Sequence, residues 1–365
     1  MNDQWKREGI PSRRVFSARV FAPFSHNVRG AKCPYCHEET TRVVCPECHN
    51  VLPKAMLEEG STIISIIGDR SSGKTVYFLS LMNELQEYGY KIGVPVVYPW
   101  DYSYDGKTSS SAVYTDMRNQ MFTQCVLPKQ TSAKRPIPMI FRMEFKGGKK
   151  QKKSEGIYIV FYDTAGEIFQ NAERIDETAR FLKDSAGVIF LIDPFSLDGL
   201  HETLVQGGII SDDGGNFVGA DPTRVFNSLG QFTGNERLKD KPLALTFSKI
   251  DAVLSALDNC PQGYKIQNVN LQKNSSFITT GKFDLDEIEQ IHESLKTVAE
   301  DKWRAGKFWG RASGVYEEGN VRMFAMSALG NNPDKNGNIK KPTPYRVMDP
   351  LVWILHKIGY DIPLA

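Results

Sequence analysis

The hydrophobic positions of this chain fall into short uninterrupted runs. The run from Ser61 to Ile67 is apolar and rich in β-branched residues, and Gly68 follows it. Such runs are typical of strands that are buried on both faces of a parallel sheet. Runs of the same kind recur at 138–145, 157–162, 187–192, 242–247 and 321–326. The pattern therefore predicts six strands.

Helical patterns lie between most of these runs, at 74–88, 171–184, 223–230, 284–304 and 347–358. Strands that alternate with helices imply right-handed crossovers and a mainly parallel sheet with helices on both faces. The connection 146–156 is too short for a crossover helix, so the strands on either side of it should be antiparallel neighbours. We expect an α/β fold with a six-stranded sheet that contains one antiparallel strand.

Changes in composition divide the chain into three parts. Residues 1–29 are polar and basic and show no sustained period, which predicts an extended arm. Residues 30–54 hold a cluster of cysteines, and residues 58–365 hold the α/β pattern. Two segments of this last part look like insertions: the proline- and serine-rich stretch near 93–135, and 205–222, with its five glycines.

The overall composition excludes several classes of protein. The net charge of +2 over 365 residues gives no general argument for nucleic acid binding, and the lysines of 146–153 are expected to form a solvated hairpin tip. No apolar stretch is long enough for a membrane span, and arginines interrupt the first thirty residues, so we expect neither a span nor a secretory signal. A cytoplasmic protein is the expectation.

A complete phosphate-binding motif follows the first strand. The stretch Gly68 to Thr75 matches G-x-x-x-x-G-K-[ST], and a helical pattern follows it, as the motif requires. Backbone N–H groups and the positive end of the helix would face the phosphates, Lys74 would add a charge, and the Thr75 hydroxyl would bind Mg²⁺. The expected phosphate-binding residues are Gly68, Asp69, Arg70, Ser71, Ser72, Gly73, Lys74 and Thr75.

Three further motifs follow later strands: Asp163-Thr-Ala-Gly166, Ser248-Lys-Ile-Asp251 and Ser327-Ala-Leu329. Asp163 could reach Mg²⁺ through water, and the backbone N–H of Gly166 could reach the γ-phosphate. Each motif stands at the carboxyl end of its strand. Because ligands bind at that edge of an open α/β sheet, the four motifs should converge on one site.

In the order of these motifs the chain resembles the translation-factor-related (TRAFAC) class of P-loop GTPases. The resemblance implies that Asp251 binds guanine, that Lys249 packs over the base, and that the backbone at Ser327 and Ala328 contacts the guanine oxygen. Ser248 stands where most members of the class have asparagine, a change that weakens the assignment of guanine.

A closer resemblance is to bacterial double-GTPase domains. It rests on the stretch Asp163 to Glu167, the pair Asp193-Pro194 and the stretch Asp349-Pro-Leu-Val-Trp353. The resemblance implies a bacterial cytoplasmic protein, of a type thought to occur in defence or conflict systems.

Two residues bear on hydrolysis. Ras-like members carry glutamine directly after the D-x-x-G motif, whereas this chain has Glu167, which could hold or deprotonate the attacking water. Arg70 is either a solvent-facing side chain or an arginine finger that acts when two GTP-bound domains meet in a homodimer, as in dynamin-like members.

The Mg²⁺ site implied by the family also needs a threonine from the first switch segment. Thr131 lies shortly before the second strand pattern and is our candidate, and Ser132 and Thr123 are alternatives. Together with Thr75 and Asp163 it would complete the protein's part of the magnesium site.

Two C-x-x-C pairs near the N-terminus predict a structural zinc ribbon. Cys33, Cys36, Cys45 and Cys48 can supply four thiolates, the set that suits tetrahedral Zn²⁺. Disulfides and an iron centre of the rubredoxin type are the alternatives. Because four cysteines complete the coordination, the ribbon should present a surface to a protein partner, with no catalytic role.

These motifs favour a GTPase that binds GTP or GDP with Mg²⁺ and acts as a nucleotide-dependent switch. An ATPase or kinase that uses the same loop is one alternative, and a nucleotide-binding scaffold that scarcely hydrolyses GTP is another. A role in nucleic acid binding through the ribbon and the lysine run of 146–153 is the third alternative.

Overall fold

The computed structural model describes residues 31–32, 37, 39–40, 43–44, 51–52, 61–68, 72–101, 109–128, 139–144, 156–161, 185–206, 238–258, 266, 268–334 and 336–365. At the N-terminal end of this part, β1 (Ala31–Lys32) pairs with β2 (Glu39–Thr40), and β3 (Val43–Val44) pairs with β4 (Val51–Leu52), both antiparallel. The remaining strands form one sheet. They are β5 (Ser61–Gly68), β6 (Val96–Pro99), β7 (Met139–Glu144), β8 (Gly156–Phe161), β9 (Gly187–Ile192), β10 (Leu243–Phe247) and β11 (Val321–Ala325).

The sheet has the order β11-β10-β9-β5-β8-β7-β6. The five strands from β11 to β8 are parallel to one another, and β7 is antiparallel to both β8 and β6. Six described strands therefore run in one direction and β7 alone runs in the other. The prediction that the strands flanking 146–156 are antiparallel neighbours is confirmed by the register that pairs Met139 with Phe161.

The sheet has one described strand more than predicted. The additional strand, β6, lies at the edge of the sheet inside the segment that we expected to be an insertion. Pro95 precedes it and Pro99 is its last residue, and proline is tolerated in an edge strand because one side of such a strand has no partner to bond. The same segment contains a helix, α2, at 110–122. The segment 93–135 therefore contributes one strand to the sheet and one helix that packs on it.

Seven of the described helices lie between strands in the chain, and the last one follows β11. The described helices are α1 (Lys74–Tyr88), α2 (Ser110–Phe122), α3 (Asp198–Gln206), α4 (Ile250–Leu257), α5 (Ser276–Thr280), α6 (Leu285–Asp301), α7 (Gly306–Val315) and α8 (Asp349–Lys357). The predicted helices at 74–88, 284–304 and 347–358 are confirmed as α1, α6 and α8. The two predicted at 171–184 and 223–230 lie outside the described residues, as do the arm 1–29 and most of the segment 205–222.

The helix α1 is fixed against the sheet by aromatic packing. The ring of Phe78 stacks on that of Phe161 in β8, with the centroids 4.5 Å apart and the planes 9° apart. Its edge meets Phe141 of β7, with the centroids 5.3 Å apart. All three side chains are buried. Offset and edge-to-face aromatic pairs contribute about 0.5–1.5 kcal/mol each beyond the area they bury, so this packing holds the start of α1 close to the end of β5.

The last helix packs on the same face of the sheet as α1, the face that carries Ile64, Ile66 and Phe161. Gly187, the first residue of β9, lies so close to Ile354 of α8 that a Cβ atom at this position would lie 2.5 Å from the Ile354 side chain. Trp353 of the same helix lies against Phe324 of β11, with the ring centroids 5.7 Å apart. Within the described part of the chain, no helix is long and apolar enough to cross a membrane.

Candidate functional site

The phosphate-binding motif lies between the central strand and the helix that follows it. The strand β5 ends at Gly68 and α1 begins at Lys74. A Cβ atom on Gly68 would lie 2.6 Å from the main-chain oxygen of Leu191 and 2.7 Å from Oγ of Ser72, so only glycine fits between the turn and β9. Asp69, Arg70 and Ser71 lie outside the described residues.

The first turn of α1 is arranged as an anion site requires. Gly73, the residue before the helix, has a φ of 76° and a ψ of 23°, a left-handed conformation that glycine adopts at little cost. It has no side chain to cap the helix, and the first turn contains no acidic residue. Lys74 is buried and Thr75 is half-buried. The positive end of the helix dipole thus faces the turn, where a phosphate would be stabilised.

The second of the later motifs begins at the end of β10 and is tied to the neighbouring strand. The backbone N–H and the hydroxyl of Ser248 both donate to the main-chain oxygen of Ile192, over 2.9 and 3.1 Å. The hydroxyl of Ser248 therefore holds the loop in place. Asp251 follows in the first turn of α4 and is half-buried.

Lys249 has an uncommon backbone conformation and forms an ion pair. Its φ is 54°, in the left-handed region, which is uncommon for a residue other than glycine. Its ammonium Nζ lies 2.6 Å from Oδ2 of Asp193, which directly follows β9. The other carboxylate oxygen of Asp193 accepts a hydrogen bond of 3.1 Å from the backbone N–H of Phe195. The sequence marked Asp193 only as part of a family resemblance, although its place at the end of a parallel strand could have identified it as a site residue.

The third later motif lies beside the second one. The backbone N–H of Ile250 donates to the main-chain oxygen of Met326 over 3.2 Å, which joins the two loops. Ser327 and Tyr345 exchange two backbone hydrogen bonds of 3.1 and 3.0 Å, and the hydroxyl of Ser327 accepts from the backbone N–H of Gly330 over 2.7 Å. The main-chain oxygen of Ala328 accepts from the hydroxyl of Ser80 in α1.

Tyr345 brings a further side chain to this edge. Burial raises its pKa to about 12, with a further contribution from the negative charge of Asp251, while a hydrogen bond with the Ser327 side chain acts in the opposite direction. Its phenol therefore stays neutral near the Asp251 carboxylate at physiological pH. No motif marks Tyr345 or Ser80 in the sequence, because both reach the site through tertiary contacts.

The structure thus brings together the described members of three motifs. These are Gly68, Ser72, Gly73, Lys74, Thr75, Ser248, Lys249, Asp251, Ser327 and Ala328. Thr123, one alternative for the first-switch threonine, is exposed at the end of α2. The other expected residues of the nucleotide site lie outside the described residues, namely Asp69, Arg70, Ser71, Thr131, Ser132, Asp163, Gly166 and Glu167.

The cysteine pairs also lie outside the described residues, but the strands around them are described. The first pair falls between β1 and β2, in which Lys32 is paired with Glu39, and the second falls between β3 and β4, in which Val44 is paired with Val51. Each C-x-x-C pair thus connects two antiparallel strands. His37, which directly follows Cys36, is exposed and has a φ of 59°. Two cysteines in each of these two connections supply the four thiols that a zinc ribbon requires.

One other group of potential metal ligands occurs among the described residues, Glu289, His292 and Glu293 of α6. Nδ1 of His292 accepts a hydrogen bond of 3.1 Å from the backbone N–H of Met323, and burial lowers the His292 pKa to about 4. The neutral ring therefore carries its proton on Nε2 and has no lone pair there for a metal. Glu289 is paired with Arg322 over 2.9 Å. The group is best explained as part of the packing between α6 and β11.

Known proteins are similar to this chain to different degrees. A curated relative from Mycolicibacterium smegmatis, described as "Putative ESX-1 scaffolding and assembly protein SaeC", is 24% identical over 337 residues, which cover 87% of this chain and 80% of the relative.

Two solved GTPase structures match this chain with low TM-scores. The signal recognition particle receptor SRb-GTP/SRX complex from Chaetomium thermophilum matches with 13% identity and a TM-score of 0.30, over 75% of this chain and 94% of that chain. The small GTPase Arl6 from Trypanosoma brucei, with a bound nucleotide analogue, matches with 11% identity and a TM-score of 0.29, over 82% of this chain and 98% of that chain.

The family comparison is the more decisive one. The sequence model of a family described as "Double-GTPase 2" matches residues 62–300, well over half of the 365 residues. The match includes the phosphate-binding motif and the Ser248 to Asp251 motif, and it confirms the resemblance to double-GTPase domains that the sequence suggested. The chain belongs to the Double-GTPase 2 family.

Proposed function

We propose that the protein binds GTP and GDP with Mg²⁺, hydrolyses GTP to GDP and phosphate, and acts as a nucleotide-dependent switch. The observation that carries this proposal is the direct contact between the expected guanine loops and the phosphate-loop helix. The backbone N–H of Ile250 donates a hydrogen bond to the main-chain oxygen of Met326, and the hydroxyl of Ser80 in α1 donates one to the main-chain oxygen of Ala328. A nucleotide whose phosphates lie at the start of α1 would then have its base beside Lys249 and Asp251.

The described residues suit the two ends of such a nucleotide. At the phosphate end, the first turn of α1 offers backbone donors, the charge of Lys74 and the hydroxyl of Thr75. At the base end, the carboxylate of Asp251 would accept two hydrogen bonds from guanine, and the stem of Lys249 would cover the base. Adenine lacks the two donors that a guanine presents to a carboxylate, so Asp251 would discriminate against ATP.

The catalytic part of the proposal involves Glu167 and Arg70. The carboxylate of Glu167 would orient a water and accept its proton as the water oxygen attacks the γ-phosphorus and the bond to the β-phosphate oxygen breaks. Arg70 would stabilise the charge that develops on the transferring group. Thr75, Thr131 and Asp163 would hold Mg²⁺ directly or through water, and this ion, when bound, neutralises charge on the β- and γ-phosphates.

The first experiment compares nucleotides on the purified full chain. We expect calorimetric titration to show binding of GTP and GDP with Mg²⁺ and at least about a hundredfold weaker binding of ATP, because Asp251 would be left unpaired by adenine. Equal affinities for ATP and GTP would contradict the proposal and favour an ATPase.

A second experiment addresses hydrolysis. If two GTP-bound domains meet, phosphate release per molecule should rise with protein concentration, and Arg70→Ala should lower it by about 10³-fold or more while GDP affinity stays nearly constant. Turnover that is independent of protein concentration would contradict the homodimer. Turnover that also survives Arg70→Ala would remove the arginine finger and leave Glu167 as the residue to test.

A scaffold that binds GTP and hydrolyses it slowly or not at all is a second candidate. Two observations favour it: the relative described as a scaffolding and assembly protein, and a glutamate at position 167, where Ras-like enzymes use glutamine. In a scaffold, protein partners would be retained in the GTP-bound state. Tight GTP binding without phosphate release at any protein concentration, unchanged in Glu167→Gln, would favour this candidate over the enzyme.

The N-terminal part completes the proposal. Residues 1–29 would form an arm, 30–54 a zinc ribbon and 58–365 the GTPase domain. Structural zinc contributes roughly 10–16 kcal/mol in small peptides, enough to fold a ribbon that has almost no core. Such a ribbon would present a surface to a protein partner in the cytoplasm of a bacterium.

A further inference from the structure

We propose that Asp193 is a positioning residue for Lys249, and that it sets the affinity of the site for the base without choosing which purine is bound. The inference rests on the proposed function and deepens it. It assigns a task to a side chain that lies outside the motifs of the nucleotide site.

The geometry holds Lys249 from both ends. Its backbone is fixed by the left-handed turn at φ 54° and by the hydrogen bonds of Ser248 to Ile192. Its ammonium is fixed by Asp193 at 2.6 Å. With both ends held, the four methylene groups between them span from the end of β10 to the end of β9 in one conformation. A lysine stem that is already ordered loses little entropy when a base packs on it.

Asp193 is itself held in one orientation. Its first carboxylate oxygen caps the 3₁₀ turn Pro194–Ser196 through the backbone N–H of Phe195, and its second oxygen faces Lys249. The side chain of Asp193 is 15% exposed and that of Lys249 is 41% exposed. An ion pair this accessible to water changes the folding equilibrium by about fivefold or less. Its main effect is therefore on where the lysine lies, and its contribution to stability is small.

This role has a distinctive consequence for nucleotide binding. Packing of a methylene stem on a purine does not depend on the group at position 2 of the ring, whereas Asp251 binds the 2-amino group. Removing the charge of Asp193 should therefore weaken GDP and IDP, which lacks the 2-amino group, by the same factor. A change that displaced Asp251 would weaken GDP more than IDP.

Asp193→Asn separates the two tasks of this side chain. Asparagine keeps an oxygen that can cap the turn at Phe195, but its amide lacks the charge that attracts the ammonium. The matched control is Glu202→Gln, which breaks an ion pair of the same length, 2.6 Å, between Glu202 and Arg304. We expect Asp193→Asn to weaken GDP and IDP about tenfold each, with an unchanged thermal midpoint, and Glu202→Gln to change neither affinity.

A double-mutant cycle decides whether Asp193 acts through Lys249. Lys249→Met keeps a long unbranched stem without the ammonium, so Asp193→Asn should have no further effect on GDP affinity in that background. A loss that persists there, a greater loss for GDP than for IDP, or no loss at all would overturn the inference. Wild-type protein that binds neither GDP nor IDP would contradict the proposed function and the inference together, whereas normal binding by Asp193→Asn would overturn the inference alone.

Discussion

The hydroxyl of Ser80 donates a hydrogen bond of 2.7 Å to the main-chain oxygen of Ala328, although 248 positions separate the two residues. Ser80 lies in the middle of α1, and Ala328 lies just beyond β11. Both residues are buried. The contact ties the expected base-binding loop directly to the helix that begins at the phosphate-binding motif, so a displacement of one is transmitted to the other.

Ser80→Ala should destabilise the protein and loosen the base site together. The substitution leaves the buried oxygen of Ala328 without its donor, which costs about 1–3 kcal/mol. We expect urea denaturation to show a loss of this size and calorimetry to show weaker GDP binding. The control is Thr297→Ala in α6, which removes an exposed hydroxyl that donates to the main-chain oxygen of Glu293, one turn earlier in that helix. A loss of stability with unchanged GDP affinity would show that the contact does not order the base loop.

Asp251→Asn should change which purine is bound. The amide of asparagine can donate to the 2-oxo group of xanthine, whereas the carboxylate can only accept. We expect GDP affinity to fall by at least about a hundredfold and XDP binding to appear. Asp286→Asn is the matched control, because Asp286 is exposed and also lies in the first turn of a helix, α6. Retention of full GDP preference by Asp251→Asn in a competition titration would contradict the proposed base contact.

One zinc per chain is expected from elemental analysis of protein that has been purified under reducing conditions. Cys33→Ser or Cys48→Ser should abolish zinc binding and leave GDP affinity unchanged, because the ribbon and the nucleotide site are separate in the chain. Cys125→Ser is the control, since Cys125 is a free cysteine beyond the two C-x-x-C pairs. A mass that corresponds to two disulfides, or iron in place of zinc, would replace the zinc assignment with one of its alternatives.

Glu84 should make the stability of the protein depend on pH. It is buried in α1, and its pKa is raised to about 8, mainly by burial and further by the charges of Asp349 and Glu87. The folded protein therefore keeps a proton on Glu84 that the unfolded chain loses near its ordinary pKa of 4.5. Stability from this group is fully present below that value and is lost as the pH rises towards 8, with a slope of at most about 1.4 kcal/mol per pH unit.

The test of this dependence compares Glu84→Gln with the wild type between pH 7 and 8. The pKa of His292 is lowered to about 4, so its imidazole is largely neutral in both states in this range. We expect the wild-type free energy of unfolding to fall with pH more steeply than that of Glu84→Gln. Glu317→Gln, at an exposed glutamate, should keep the wild-type slope. Equal slopes in all three proteins would show that Glu84 is ionised in the folded state.

Much of the central sheet could be predicted from the sequence, for a local reason. The run from Ser61 to Ile67 has no charged residue because β5 lies between two other strands, and Ile64 to Ile67 are buried on both faces. The helix α1 was predicted with the bounds that the structure shows, Lys74–Tyr88, since a glycine turn starts it. The antiparallel pairing of β7 with β8 followed from a connection too short for a helix. In each case the determining signal lies within a few residues of the element.

What only the tertiary structure decided are the contacts between distant parts of the chain. Val96–Pro99 is short and ends in proline, and it becomes a strand because β7 offers it a partner at the sheet edge. Asp193, Tyr345 and Ser80 belong to no nucleotide-binding motif, yet they hold the loops that carry Lys249, Asp251 and Ala328. The motifs in the sequence identify the side chains that would contact a nucleotide. The partners that orient those groups depend on which strands lie side by side, and that order is set by packing across the whole sheet.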